Sequence, residues 1–141
     1  MRVLHMTKTA VQCAHLSVLE DRNRGRLHEY GGRAANPIFT RYRPKRADEL
    51  VGGSLFWIIA HQLTVRQEIL GFEERQTAKG TECCIWLDAE MVPVKPRRKR
   101  AHQGWRYLED RNKPADMLGG PVDLGNMPQS LVRELAGLGL L

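Results

Sequence analysis

Apolar and polar residues alternate with a period of two in several short stretches of this chain, the pattern typical of half-buried β-strands. Residues 2–9 follow this pattern, and so do residues 38–43 after a turn at Asn36-Pro37. Residues 81–87 are mostly apolar, which predicts a buried strand. Residues 104–108 can form a last short strand. Together these stretches predict a sheet.

Residues 55–70 carry the longest apolar stretch, and its pattern fits two structures. Two strands would use the apolar run 56–59 and the alternation that follows it. We favour the two strands because β-branched and aromatic residues are dense here, and because Gly52-Gly53 suits a turn better than a helix start. The alternative is a single helix with one apolar face, made of Leu55, Ile58, Ile59, Leu63 and Leu70.

Helices are predicted near both ends of the chain. Ser17 can cap a helix over residues 17–30, Glu20 stands where a capping box places it, and Gly31-Gly32 can end the helix. Pro128 suits the first turn of a terminal helix through Leu135.

The chain has 141 residues, which fits a single domain over residues 1–141. Pro93 and Pro96 predict a loop, and residues 109–126 an irregular surface segment. The predicted fold class is therefore α+β, with a small mixed or antiparallel sheet and an N-terminal and a C-terminal helix. One version of it is a PUA-like β-barrel.

Localisation is predicted from what the sequence lacks. No apolar run approaches the roughly 18–20 residues of a membrane span, and the first residues do not look like a secretory signal. Cys13, Cys83 and Cys84 are odd in number, and free thiols in a reducing cytosol explain them best. We therefore expect a cytoplasmic protein without membrane contact.

The charge is concentrated in one place. Lys and Arg total 22 against 16 Asp and Glu, a net charge of +6. Residues 95–106, which we call the basic segment, contain no acid, and outside this segment the positive and negative residues balance. Its cations are Lys95, Arg97, Arg98, Lys99, Arg100 and Arg106.

Three parts of the chain resemble a family of short bacterial proteins known only as a domain of unknown function. They are PKRADEL at residues 44–50 with GGSLFW at 52–57, QGWRYL at 103–108, and the ending from Glu134 to Leu141. The resemblance covers nearly the whole chain. It implies a stand-alone bacterial protein of one domain, and it supplies no activity and no catalytic residue.

Nucleic-acid binding is the function that the basic segment favours. Clustered cations replace phosphate counterions, and aromatic faces stack unpaired bases. Trp105 and Tyr107 can supply such faces, and Arg41 and Arg43 would form a second cationic row on a strand. The likeness to PUA-like barrels places RNA ahead of DNA. The plainer interpretation is a solvated loop beside a core tryptophan.

Two other functions stay open. A small enzyme acting on a phosphorylated or nucleobase substrate would need His61, Glu68 or Cys84 in one pocket. A protein-interaction module, such as a homodimer, would use the basic segment to dock an acidic partner. The sequence has no usual zinc-ligand spacing and no phosphate-binding glycine loop, so no metal, cofactor or catalytic residue is predicted.

Overall fold

A computed structural model of the protein describes residues 3–117. Most of this part is β-structure, with one longer helix near its start. In chain order the elements are β1 (Leu4–Thr9), α1 (Leu16–Arg24), β2 (His28–Tyr30), β3 (Arg33–Thr40), α2 (Ala47–Leu50), β4 (Ser54–Ile59), β5 (Gln62–Thr77), β6 (Gly80–Asp88), β7 (Val92–Arg98), β8 (Trp105–Glu109) and a 3-10 turn (Asp110–Asn112).

The strands form one mixed sheet in the order β2-β3-β6-β5-β4-β1-β8, and β7 pairs with β5 beside this path. The β1–β4 pair is parallel and the other pairs are antiparallel. Within residues 3–117 the end strands β2 and β8 do not pair with each other. The sheet is therefore open, and it is not the closed PUA-like barrel that was one version of the predicted fold.

The main core lies where α1 packs against one face of the sheet. Leu16 and Leu19 of α1 meet Met6, Leu55 and Trp57 there. A second cluster, of Phe56, Ile58, Leu63 and Val94, covers the other face of β4. Because both faces of β4 are covered, all six of its residues are buried, which explains its unbroken apolar run.

A network of buried amides joins α1 to the sheet. Gln67 is fully buried, and its Oε1 accepts hydrogen bonds from Trp57 Nε1 at 2.8 Å and Asn23 Nδ2 at 3.1 Å. Its Nε2 donates to Asn36 Oδ1 at 3.1 Å and to the Asp88 carbonyl at 2.8 Å. All polar atoms of the Gln67 side chain are therefore paired, as a buried amide requires.

Several predicted strands are confirmed. Residues 55–70 contain two strands, β4 and β5, and not a helix. Ala60 and His61 form the turn between them with φ of 51° and 61°, the left-handed geometry of a two-residue hairpin. The strands predicted at residues 2–9, 81–87 and 104–108 correspond to β1, β6 and β8.

The predicted helix over residues 17–30 is too long. α1 spans Leu16–Arg24, its N-cap is His15 and not Ser17, and no side chain caps it. Gly31 and Gly32 form the turn of the β2–β3 hairpin, with φ of 58° and 81°. Glycines suit the end of a helix and a tight hairpin equally well, so the local pattern could not separate the two. The C-terminal helix predicted for residues 128–135 lies outside the described residues.

Two further predictions made from prolines were wrong, the turn at Asn36-Pro37 and the loop at Pro93 and Pro96. Asn36 and Pro37 are not a turn but lie inside β3, where Pro37 stands beyond the last residue paired with β2. Pro93 and Pro96 lie in β7 and not in a loop. Among the strands of the described chain β7 pairs with β5 alone, and an edge strand tolerates proline because one side needs few amide donors. Residues 3–117 contain no helix long and apolar enough to cross a membrane.

Candidate nucleic-acid interface

The basic segment begins in β7 and then crosses one end of the sheet. Arg97 and Arg98 pair with Leu63 and Gln62 of β5. The Lys99 amide then donates to the His61 carbonyl at 2.8 Å, next to the β4–β5 turn. Residues 95–98 of the segment are therefore strand, which corrects the loop predicted from the prolines.

His102 anchors the second half of the segment to β1. Its backbone amide donates to Thr9 Oγ1 at 3.1 Å, and the Thr9 hydroxyl donates to its carbonyl at 2.9 Å. Its ring Nε2 lies 2.9 Å from Thr7 Oγ1. The segment then enters β8 at Trp105, opposite Lys8. Its two ends are thus held by the sheet while its cations lie along the surface.

None of the cations of the basic segment pairs with a carboxylate within the part of the chain that the structure describes. The Arg97 guanidinium donates to the Asn112 carbonyl, which carries no net charge. Five of these side chains are exposed and Lys99 is half-buried. Elsewhere in residues 3–117, more than half of the cations lie within 4.0 Å of an acid, namely Arg24, Arg33, Arg43, Arg46, Arg66, Arg75, Arg111 and Lys113.

Two shallow cavities adjoin the segment and share His61. One, of about 460 Å³, lies between His61, Arg98 and Arg100. The other, of about 440 Å³, has mostly small or apolar walls, including Ile58 and Ala101. Among the described residues, no Asp or Glu lines either cavity. We call the second cavity the apolar hollow. The surface at this end of the sheet therefore combines uncompensated positive charge with this apolar hollow.

The two predicted stacking residues are engaged with the protein itself. Trp105 packs against the main core and donates from Nε1 to Thr40 Oγ1 at 3.3 Å. The Arg46 guanidinium lies 5.6 Å from the Tyr107 ring centroid, and the Arg46 amide donates to the Tyr107 hydroxyl at 3.1 Å. Trp105 is therefore mainly a core residue, as the plainer interpretation has it, whereas Tyr107 is exposed but already holds Arg46 against its ring.

The second cationic row does not form. Arg41 and Arg43 lie beyond the end of β3, so the period of two no longer applies to them. Arg43 pairs with Asp48 at 3.1 Å, while Arg41 lines a different cavity that also contains Glu82. Neither residue lines the two cavities beside the basic segment.

The residues named for the enzyme alternative do not converge. His61 lies at the exposed β4–β5 turn, whereas Glu68 pairs with Arg33 at 3.2 Å. Cys84 is fully buried, and burial raises the pKa of its thiol to about 11. Cys13, Cys83 and Cys84 are all free, as predicted. Among residues 3–117 no three His, Cys, Asp or Glu side chains form a metal-binding group.

The sequence profile of a family described as protein of unknown function DUF1489 matches residues 6–141. The chain belongs to the DUF1489 family. The resemblance found in the sequence is thereby confirmed. No curated protein and no solved structure matches this DUF1489 chain significantly.

The DUF1489 chain also has a polar cluster that the sequence did not reveal. His5 is buried, accepts the Ser54 amide proton at Nδ1 (2.9 Å) and contacts Asp110 Oδ1 through Nε2 at 2.7 Å. Arg66 binds both carboxylate oxygens of Asp116 at 2.7 and 2.6 Å. Burial is the main reason that the pKa of His5 is lowered. The contacts of His5 with Asp110 and of Arg66 with Asp116 hold residues 110–116 against the sheet. The two partners in each contact are far apart in the sequence, so no local motif predicts the cluster.

Proposed function

We propose that this protein binds single-stranded nucleic acid, with RNA preferred to DNA, through the basic segment. The observation that supports this most is the contrast in pairing. The six cations of the segment have no carboxylate partner among residues 3–117, whereas most other cations of the described chain have one.

An unpaired cation is available for a phosphate, because no internal ion pair has to be broken first. Cations brought together in this way also release condensed counterions when they bind a nucleic-acid backbone. The apolar hollow beside His61 gives an unstacked base a place outside water. Unpaired bases occur in single strands and RNA loops, which is why we place RNA ahead of DNA.

The test is the salt dependence of binding to single-stranded RNA. On a single strand, engagement of about four to six charges gives a slope of roughly −3 to −4 for the logarithm of the binding constant against that of salt concentration. A variant with Arg97, Arg98, Lys99 and Arg100 all changed to Gln should flatten this slope by about three. Fluorescence anisotropy at several salt concentrations measures it.

A matched variant removes four exposed cations elsewhere: Arg24, Arg33, Lys45 and Lys79 changed to Gln. Both variants lower the net charge by the same amount, so a general charge effect would change both slopes equally. Unchanged binding and slope in the basic-segment variant would rule the proposal out. If an acidic polypeptide competes better than RNA, the basic segment serves a protein partner instead. Parallel titrations with DNA of the same sequence test the preference for RNA.

A further inference from the structure

A separate cavity lies between α1 and the sheet, and three cations line it. Lys8 comes from β1, Arg22 from the last turn of α1, and Arg26 from the residues that follow α1. The cavity holds about 240 Å³, and Trp57 is part of its apolar wall. None of the residues 3–117 that line it is an Asp or Glu.

The three charges are close together and uncompensated. None of Lys8, Arg22 and Arg26 pairs with a carboxylate anywhere in residues 3–117. Lys8 is half-buried, and its Nζ lies 6.0 Å from the Trp57 ring centroid. Burial first, and then the charge of Arg22, lowers the pKa of Lys8. The like charges in this cavity therefore repel one another, and a bound anion would offset that repulsion.

Contacts within the protein explain the position of Arg22 but not the positions of Lys8 and Arg26. Arg22 lies in the last turn of α1, where a cation complements the helix dipole, and its Nη2 donates to the Val11 carbonyl at 2.8 Å. Neither contact involves Lys8, which belongs to a strand, or Arg26, which follows the helix. The convergence of three chain segments on one cavity needs another explanation.

We propose that this cavity binds the phosphate group of a phosphomonoester, with Lys8, Arg22 and Arg26 as its ligands. At neutral pH a phosphomonoester carries a charge of about −1.5 to −2 and three acceptor oxygens. Three cations therefore match a phosphomonoester better than they match a carboxylate, which carries a single negative charge. Arginine also suits bidentate contact with phosphate.

The size of the cavity limits how much of the ligand it holds. Its volume of about 240 Å³ lies below the usual range of about 300–1,000 Å³ for small-molecule pockets. The phosphate therefore fits inside while the rest of the molecule projects outward. Thr9 lines both this cavity and the apolar hollow beside His61, so the hollow is where a nucleoside would continue. The ligand is either a free nucleotide or the phosphorylated end of a strand.

The experiment measures binding of inorganic phosphate, adenosine 5′-monophosphate and two short RNAs that differ only in a 5′-phosphate or 5′-hydroxyl end. Single variants Lys8→Gln, Arg22→Gln and Arg26→Gln are compared with Arg24→Gln, which lies on the same helix but outside the cavity. Each cavity variant should weaken phosphate binding about tenfold or more, as expected for the loss of one charged hydrogen bond. Arg24→Gln should change it less than about twofold.

The unsubstituted protein supplies an independent measurement. Bound phosphate should raise the depressed pKa of Lys8, which NMR of its ammonium group follows. Tighter binding of the 5′-phosphate RNA than of the 5′-hydroxyl RNA identifies a strand end, and binding of the mononucleotide alone identifies a free nucleotide. The proposal is overturned if no phosphate-bearing probe binds, if the Lys8 pKa does not move, or if the cavity variants bind as Arg24→Gln does. The four-fold variant of the basic segment leaves this cavity intact, so the two proposals can fail separately.

Discussion

Replacing Gln67 by Leu tests whether the buried amide network holds α1 on the sheet. The change removes four hydrogen bonds and leaves Trp57 Nε1, Asn23 Nδ2 and Asn36 Oδ1 buried without that partner. Each such group costs about 1–3 kcal/mol. Burying a leucine side chain returns at most about 1.5–3 kcal/mol. The loss exceeds the gain, and we expect the free energy of unfolding to fall by about 3 kcal/mol, a large part of the ~5–15 kcal/mol typical of a domain.

Urea unfolding followed by tryptophan fluorescence measures this change. The matched control is Gln76→Leu, which lies on the same strand but is exposed and donates to Thr81 Oγ1 at the surface. That variant should stay within about 0.5 kcal/mol of the unchanged protein. If Gln67→Leu costs less than about 1 kcal/mol, or no more than Gln76→Leu, then the network does not carry the stability assigned to it.

Two further predictions concern single residues. A Cβ added at Gly53 would lie 1.9 Å from the Leu4 carbonyl oxygen, so Gly53→Ala should lower the free energy of unfolding by about 1–3 kcal/mol. Gly25→Ala meets nothing closer than 3.6 Å and should not destabilise the protein in the same urea assay; equal midpoints for the two variants would contradict this explanation. Burial lowers the pKa of His5 below its usual 6.5, so the unfolded chain takes up that proton more readily and stability should fall as pH drops below about 6.5. His5→Asn should show a weaker fall between about pH 7.5 and 5, and an identical fall would show that His5 is not its source.

Much of the sheet could be predicted because its signals are local. The hairpin of β4 and β5 follows from apolar density and from a turn between two runs, and both lie within a few residues of each other. The errors arose where one local signal fits two structures. Gly31-Gly32 could end a helix or turn a hairpin, and Pro93 could break a strand or lie at an edge. Only the neighbouring strands decide between these alternatives.

The candidate site divides in the same way. The basic segment is visible in the sequence because its cations are contiguous. Trp105 and Tyr107 follow them closely in sequence, yet the structure turns both toward Thr40 and Arg46. The direction of a side chain depends on the residues that pack beside its strand. These neighbours come from distant parts of the sequence, so the local sequence does not predict it.

The sequence alone determined the family, the uneven distribution of charge and the position of most strands, because each depends on residues that are adjacent or on their period. Tertiary structure decided which cations are neutralised and which are not. It brought Lys8, Arg22 and Arg26 from separate segments to one cavity that no acid of residues 3–117 lines. Coulomb interactions depend on the distance in space between two charges. The order of the strands and the packing of α1 against the sheet set that distance.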